Sequence, residues 1–258
     1  MKKSFVALAL AGAFSGAVHA QSAIEIYGVV DMGFVRETGD VPGLTAPPGT
    51  LHVAPGGNKL TSGAQSGTRL GFKGTEDLGG GMKGLFVLET GIAADRGGFN
   101  QANTAFARQS FVGLQGDFGT LTLGRQYTPY FLALSQVGDP FASGLSGAAQ
   151  NLMLAPQSAR PNQGVRMDNT VKYTTPMFAG ISGELAYGFG EAAGSNTDGR
   201  VVGASVSYKV KPLAIGIAYY RANNAPAFAS ARDATSSVLL TASWDFGIAK
   251  IHAAYADS

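Results

Sequence analysis

The chain has 258 residues, a formal net charge of +2 at pH 7 and no cysteine. These values argue against nucleic-acid binding through a basic surface and against a fold held together by disulfides. Only 14% of the residues are charged, where about a quarter is usual, yet no stretch after the N-terminal segment has the roughly 18 apolar residues of a membrane helix.

Residues 1–20 predict a secretory signal peptide. Two lysines precede an apolar run over residues 5–18, and small side chains lie around the predicted cleavage after Ala20. An N-terminal membrane anchor is the alternative, but the run is short for a bilayer. We expect the mature chain to begin near Gln21; loss of the two lysines leaves 19 − 2 = 17 basic residues against 17 acidic ones.

From residue 24 onward, apolar residues alternate with small or polar ones, which predicts β-strands. The first strand covers residues 24–37 and precedes a Pro- and Gly-rich stretch, residues 38–65. The other predicted strands are residues 67–77, 82–94, 105–115, 120–128, 165–175, 181–190, 200–210, 213–222, 235–244 and 248–255. About eleven strands of this length match the tilted crossings of a membrane barrel.

The connections between these strands alternate between short, Gly-containing turns and long polar segments. The turn after residue 77 reads "LGGG", whereas the next connection is the polar loop 95–104. Outer-membrane barrels have this asymmetry, with tight turns on the periplasmic side and longer outer loops. A soluble β-sandwich has no reason to sort its loops in this way. We therefore expect one domain, residues 21–258.

Each strand separates charged from apolar side chains. In strand 67–77, Leu70 and Phe72 share one face while Arg69 and Lys73 share the other. In strand 165–175 the same alternation places Arg166, Asp168, Thr170 and Lys172 opposite Val165, Met167, Asn169, Val171 and Tyr173. A soluble sheet with one wet face and a membrane barrel with its wet face inward both fit this pattern.

Four blocks resemble the general diffusion porins of Gram-negative bacteria, in their beta-proteobacterial branch. They are "IEIYGVVDMG", "SGTRLGFKGTEDLGGGMKGLFVLE", "FARQSFVGLQGDFGTLTLGRQYTP" and "DNTVKYTTPMFAG". The resemblance implies an all-β fold, a transmembrane antiparallel β-barrel of the sixteen-stranded porin type. It also implies a homotrimer in outer-membrane lipid, with the third outer loop folded into the lumen.

The chain departs from that family at its C-terminus. It stops at Ser258, without the terminal aromatic residue by which such barrels are recognised for assembly. Eleven strands cannot close an up-and-down barrel, and closure removes the strand edges that lipid cannot solvate. We therefore expect that about five C-terminal strands are missing from this sequence.

By resemblance, the protein is a water-filled channel through which small hydrophilic solutes and ions diffuse passively, without a cofactor. The long segment 129–163 follows the fifth strand and would be the constriction loop; it contains Asp139 and Arg160. Resemblance and parity together predict a basic wall of Arg69, Arg108 and Arg166, with Lys73 as a further candidate. The predicted acidic side consists of Asp139, Glu89 and Asp31.

Because the candidate bases outnumber the candidate acids, we expect a weak preference for anions. By alternation, Arg125 lies on the same face of its strand as the apolar residues, and we predict it at the rim of the barrel. The alternative role for each arginine is to pair with a wall carboxylate and stiffen the barrel.

Other functions fit the sequence less well. A substrate-specific, sugar-type channel would need a run of aromatic residues along the lumen, and "PYF" at 129–131 is short for one. A barrel enzyme would need a paired histidine, but the mature chain has only His52 and His252, and it has no G-x-S-x-G or H-E-x-x-H motif. A soluble secreted β-sandwich would extract without detergent. We expect no catalysis, no metal and no nucleic-acid partner.

Overall fold

A computed structural model describes residues 23–37, 57–144, 149–153, 164–223 and 234–257. The predicted signal peptide, His52 and Arg160 lie outside these ranges. None of the helices within them has the length and apolar character needed to cross a membrane.

The described residues form fourteen β-strands, of which eleven follow one another in one antiparallel sheet. The first seven are β1 (Ala23–Val29), β2 (Met32–Glu37), β3 (Gly57–Ser62), β4 (Arg69–Gly79), β5 (Met82–Ala93), β6 (Gly98–Phe99) and β7 (Gln109–Gly116). The others are β8 (Gly119–Tyr127), β9 (Arg166–Thr174), β10 (Ile181–Gly188), β11 (Val201–Val210), β12 (Leu213–Asn223), β13 (Ala234–Asp245) and β14 (Lys250–Asp257).

The order of the strands in the sheet is β1-β4-β5-β7-β8-β9-β10-β11-β12-β13-β14. The short β6 pairs only with β5, and β2 pairs with β3 in a separate two-stranded sheet. Consecutive strands of the main path pair antiparallel, as expected where backbone groups must find partners on an adjacent strand. The eleven strands of this path correspond to the eleven predicted from the sequence.

The predicted first strand, residues 24–37, is interrupted at Val30 and Asp31. The Asp31 carboxylate accepts hydrogen bonds from the backbone N–H groups of Ala64, Gln65 and Ser66 at 2.7–3.1 Å. The turn that follows β3 thus lies against Asp31. On one side of Asp31, β1 pairs with β4, and on the other side, β2 pairs with β3, so that β1 and β2 belong to different sheets. Strand β3 itself was missed because it lies within the Pro- and Gly-rich stretch 38–65.

One face of the main sheet is apolar and exposed. The side chains that project from it include Ile24, Ile26, Val112, Leu114, Leu121, Leu123, Leu185, Val206, Ile215, Ile217, Val238, Leu240 and Ile251. Residues of the opposite face pair with one another across successive strands, for example Gly71 with Glu89, Thr170 with Gly188, and Ala222 with Thr235. We refer to this second face as the inner face.

In the first half of residues 165–175, the side chains lie on the faces opposite to those predicted by the alternation. The register between β8 and β9 shifts between Gly124 and Gln126, and Asn169 has a φ of +50°. Two residues of β9 therefore oppose one residue of β8, as in a β-bulge. The bulge turns Met167 onto the inner face, where it is only 1% exposed, and leaves Asp168 outside with 60% of its side chain exposed.

Two short helices follow β8. Helix α1 (Pro129–Ala133) continues as one π-helical turn, Leu134–Gly138, and α2 is Gln150–Met153. The Thr128 hydroxyl caps α1 by accepting a hydrogen bond from the N–H of Phe131, and Pro129 occupies the first helical position.

Helix α1 and its π-helical turn pack on the inner face of β11 to β14. Tyr130 shares a hydrogen bond with Ser237, its hydroxyl 3.0 Å from the Ser237 Oγ, and the ring nitrogen Nδ1 of His252 donates to the Val137 carbonyl at 2.7 Å. Tyr130, Leu134, Met167, Tyr220 and Leu239 form the buried core of this contact.

The segment between β8 and β9 also reaches the part of the sheet near β4. A Cβ added at Gly144 would overlap the carbonyl oxygen of Gln65, so the two backbones are in direct contact and the position requires glycine. Gln65 belongs to the turn that leads into β4. The segment between β8 and β9 therefore extends from the β11–β14 side of the inner face to the β4 side.

The close approach of α1 to the wall predicts a specific sensitivity at Gly203. A Cβ at this position of β11 would lie 2.9 Å from the Pro129 Cδ, whereas at Gly183 of β10 the nearest atom would be at 3.4 Å. We expect Gly203→Val to lower the free energy of unfolding by about 1–3 kcal/mol through overpacking. Gly183→Val is the matched control. Urea unfolding in detergent measures the difference, and equal stability of the two variants would contradict this packing of α1.

Candidate functional site

The three arginines predicted to form a basic wall lie on alternate strands of the main path, at the same end of the sheet. Arg69 opens β4, Arg108 immediately precedes β7, and Arg166 opens β9. Arg108 is held beside β5 by its backbone N–H, which donates to the carbonyl of Glu89 at 3.0 Å. Arg166 lies opposite Tyr127, the last residue of β8. Residues that are far apart in sequence thus come within reach of one another, because a single strand, β5 or β8, separates each from the next.

Glu89 lies at the centre of this group, with only 5% of its side chain exposed. Its carboxylate accepts from Arg108 Nε at 2.7 Å and from the Tyr27 hydroxyl at 2.9 Å, and it lies 3.7 Å from Arg69 Nε. Arg69 also donates to the Ser66 hydroxyl and to the carbonyl of Gly67. The carboxylate therefore pairs with one arginine directly and with a second at longer range.

Tyr127 connects the third arginine to the others. Its hydroxyl oxygen accepts from Arg108 Nη2 at 2.8 Å and from Arg166 Nη2 at 3.2 Å. A continuous set of contacts therefore runs from Tyr27 through Glu89 and Arg108 to Tyr127 and Arg166. We call these five residues and Arg69 the arginine cluster. Neither tyrosine was predicted at this site from the sequence, although Tyr127 is within the block "GRQYTP" and Tyr27 within "IEIYGVV".

Lys73 is on the same face as Arg69, but it has its own partners. Its Nζ lies 3.1 Å from a carboxylate oxygen of Glu25 and 5.3 Å from the centre of the Tyr27 ring. About half of each charged side chain is exposed, so this pair is a solvated contact at the border of the arginine cluster.

The three residues of the predicted acidic side lie in different surroundings. Glu89 lies within the group of arginines and not across from it, because β5 is the neighbour of both β4 and β7. Asp31 binds backbone amides of the turn before β4, as described above. Asp139, which is buried, accepts from the N–H groups of Phe141 and Ser143 at 2.9 and 3.1 Å. Both aspartates thus shape backbone turns, and their role toward solutes stays a prediction.

Arg125 lies on the outward face, opposite Ser110. Its Nε donates to the carbonyl of Ala107 at 2.6 Å, and its Nη1 pairs with the Asp168 carboxylate. Arg125 therefore has its own partners on the outward face, in agreement with its parity in the sequence.

The cluster has an excess of positive charge. Three guanidinium groups and one carboxylate give a formal charge of 3 − 1 = +2 within the network. The residues that the structure describes include no group of three or more His, Cys, Asp or Glu that could hold a metal ion. The arrangement is suited to attracting anions from water and to holding its own arginines in place.

The sequence matches the family of Gram-negative porins over residues 7–258. The chain therefore belongs to this family. It is 35% identical over 255 residues to outer membrane porin protein 32 of Delftia acidovorans, which covers 97% of this chain and 68% of that protein. It is 32% identical over 277 residues to an outer membrane porin protein of Bordetella pertussis, with 99% of this chain and 69% of that protein covered.

Solved porin structures have the same fold. The anion-selective porin from Comamonas acidovorans superposes with a TM-score of 0.73 at 29% identity, over 91% of this chain and 67% of that one. OmpF of Salmonella typhi, in complex with daunomycin, gives a TM-score of 0.64 at 18% identity, over 90% of this chain and 65% of that one, and supports the fold alone. The chain is thus an outer-membrane porin with a transmembrane antiparallel β-barrel fold, a channel protein and not an enzyme.

The central position of Glu89 predicts that it stabilises the protein. We expect Glu89→Gln to lower the free energy of unfolding by about 1–3 kcal/mol, because buried donors lose their charged acceptor. Glu25→Gln, which breaks the exposed pair with Lys73, should cost at most about 1 kcal/mol. Urea unfolding in detergent compares the two variants. Equal losses would show that Glu89 does not hold the arginine cluster together.

Proposed function

We propose that the chain forms a water-filled channel for passive diffusion of small hydrophilic solutes and ions, with a weak preference for anions. The observation that carries this proposal is the convergence of Arg69, Arg108 and Arg166 on one buried carboxylate and one phenol oxygen. Channels select ions by the sign of charge in their lining, and charge at a narrow point has the largest effect.

The segment between β8 and β9 is proposed to narrow the channel at the level of the arginine cluster. Its first part packs on the inner face of β11 to β14, and Gly144 approaches Gln65 in the turn before Arg69. A loop that extends between these two positions leaves less room for water beside the arginines. Solutes that cross the channel would therefore pass close to the guanidinium groups.

The charge within the cluster supports an anion preference of modest size. A formal charge of +2 in a water-filled waist raises the local concentration of anions and lowers that of cations. Glu89 has already lowered the charge of the three arginines from +3 to this value, which is the physical basis for a weak preference. The solved Comamonas porin, described as anion-selective, is 29% identical to this chain, and this similarity supports the same sign of selectivity here.

The remaining features are proposed from the resemblance of the whole chain to porins. Residues 1–20 direct export and are cleaved, residues 21–258 belong to the barrel domain, and the channel assembles as a homotrimer. Outer-membrane lipid contacts the apolar outward face, whose exposed side chains include Val206 and Ile217.

Arg108→Gln should lower the chloride-to-potassium permeability ratio roughly two- to five-fold. Removal of one charge about 8 Å from the ion path changes the energy of each ion by about 0.5 kcal/mol in water, with opposite sign for the two ions. The reversal potential across a planar bilayer in a KCl gradient gives the ratio. Arg221→Gln, on the outward face of β12, is the control and should leave the ratio unchanged.

Two results would contradict the proposed selectivity. The first is a parent channel with a clear preference for potassium. The second is an equal ratio for Arg108→Gln and the parent channel, since ions would then pass without sensing the arginine cluster.

A further inference from the structure

Tyr127 lies where strand β8 ends and the segment between β8 and β9 begins. We refer to this segment as the inserted loop. It is the last residue of β8, and the next residue, Thr128, is fully buried and caps helix α1 through Phe131. Two further bonds fix this junction: the Thr128 N–H donates to the carbonyl of Val165 at 3.0 Å, and its hydroxyl donates to that of Gly164 at 2.9 Å. The Tyr127 side chain thus projects from a firmly held part of the backbone.

The ring of Tyr127 contacts both the loop and an arginine. It stacks on the ring of Phe131 with centroids 5.0 Å apart and planes inclined by 23°. The guanidinium carbon of Arg166 lies 4.8 Å from the centre of the Tyr127 ring, within the range of a cation–π contact. One aromatic ring is therefore placed between the first turn of α1 and the arginine cluster.

The hydroxyl of Tyr127 joins two cations that repel each other. Its oxygen accepts from both Arg108 and Arg166, at 2.8 and 3.2 Å. A hydrogen bond from a charged donor is stronger than a neutral one, so a shared acceptor offsets part of the repulsion. The phenol does this without adding negative charge. Glu89 also holds Arg108, but its carboxylate cancels part of the positive charge.

We propose that Tyr127 is a positioning residue for ion selectivity. Its hydroxyl holds Arg108 and Arg166 side by side, and its ring ties this pair to the inserted loop through Phe131. The inference rests on the proposed function, in which the arginine cluster sets the ion preference. Since the phenol has no formal charge to remove, a change in selectivity in a Tyr127 variant reports that the arginines have moved.

Tyr127→Phe tests this role because it keeps the ring and removes only the acceptor oxygen. Tyr187→Phe is the matched control, since Tyr187 lies in β10 next to the outward-facing Phe189, with ring centroids 5.0 Å apart. Each full-length channel is purified from outer membranes, and its chloride-to-potassium permeability ratio is measured from reversal potentials. We expect Tyr127→Phe to lower the ratio roughly two-fold, and Tyr187→Phe to leave it unchanged.

A double substitution locates the effect on Arg108. Tyr127→Phe combined with Arg108→Gln should lower the ratio by less than the product of the two single effects, because both act on the same guanidinium group. Tyr127→Gln supplies an acceptor oxygen without the ring, and Tyr127→Leu supplies neither. We expect the glutamine variant to retain a higher ratio than the leucine variant.

The outcomes separate this inference from the proposed function. If Arg108→Gln lowers the ratio and Tyr127→Phe does not, the role of Tyr127 is rejected and the proposed function stands. If neither substitution changes the ratio, both are rejected. A Tyr127→Phe channel with altered conductance or current noise but an unchanged ratio also rejects the inference, because loosening of the loop alone would produce that result.

Discussion

A strand that crosses a lipid bilayer must pair all of its backbone hydrogen-bonding groups with adjacent strands, because lipid offers no partners. In the antiparallel sheet of this protein, every strand between β1 and β14, the two that end its main path, is paired on both sides. Pairing fixes the register, and the register fixes which side chains share a face. The division into an apolar outward face and a more polar inner face follows from this constraint, and so do the positions of Tyr27, Arg69 and Glu89 in the arginine cluster.

The arginine cluster shows how such a sheet collects charges. Arg69, Glu89 and Arg108 are far apart in the sequence, yet β4, β5 and β7 are consecutive in the sheet. Like charges at this density would repel one another in isolation. Their proximity depends on acceptors placed between them, which are the Glu89 carboxylate and the Tyr127 hydroxyl. Gly144 of the loop after β8 approaches Gln65 in the turn before Arg69, and this contact is the basis of the proposed narrowing beside the charges.

Much of the fold could be predicted because period-two alternation and the sorting of short and long connections are local signals. One example is strand β4, where Leu70 and Phe72 lie on one face and Arg69 and Lys73 on the other. The bulge at Asn169 could not be predicted in this way, because alternation assumes a constant register and a bulge reverses the faces on one side of it. Strand β3 was missed for a different reason: its pairing with β2 is a contact across a Pro- and Gly-rich stretch.

The candidate site was predictable in its charged members but not in their arrangement. Arginines were found because charge on one strand face is conspicuous, whereas Tyr27 and Tyr127 have no such signal. The position of Glu89 among the arginines depends on strand order, and the backbone bonds of Asp31 and Asp139 depend on turn geometry. These features are properties of the folded chain.

The barrel and the proposed channel both depend on which face of the sheet is in contact with water. Val206 of β11 is 52% exposed on the outward face, and its neighbours Ser205 and Ser207 lie on the inner face. Because the chain has no cysteine, single substitutions at these three positions can be labelled without background. In intact outer membranes, a charged, water-soluble thiol reagent should modify Ser205→Cys and Ser207→Cys but not Val206→Cys, which should react with a lipid-soluble reagent. The reverse pattern would contradict the assignment of the two faces and the channel built on it.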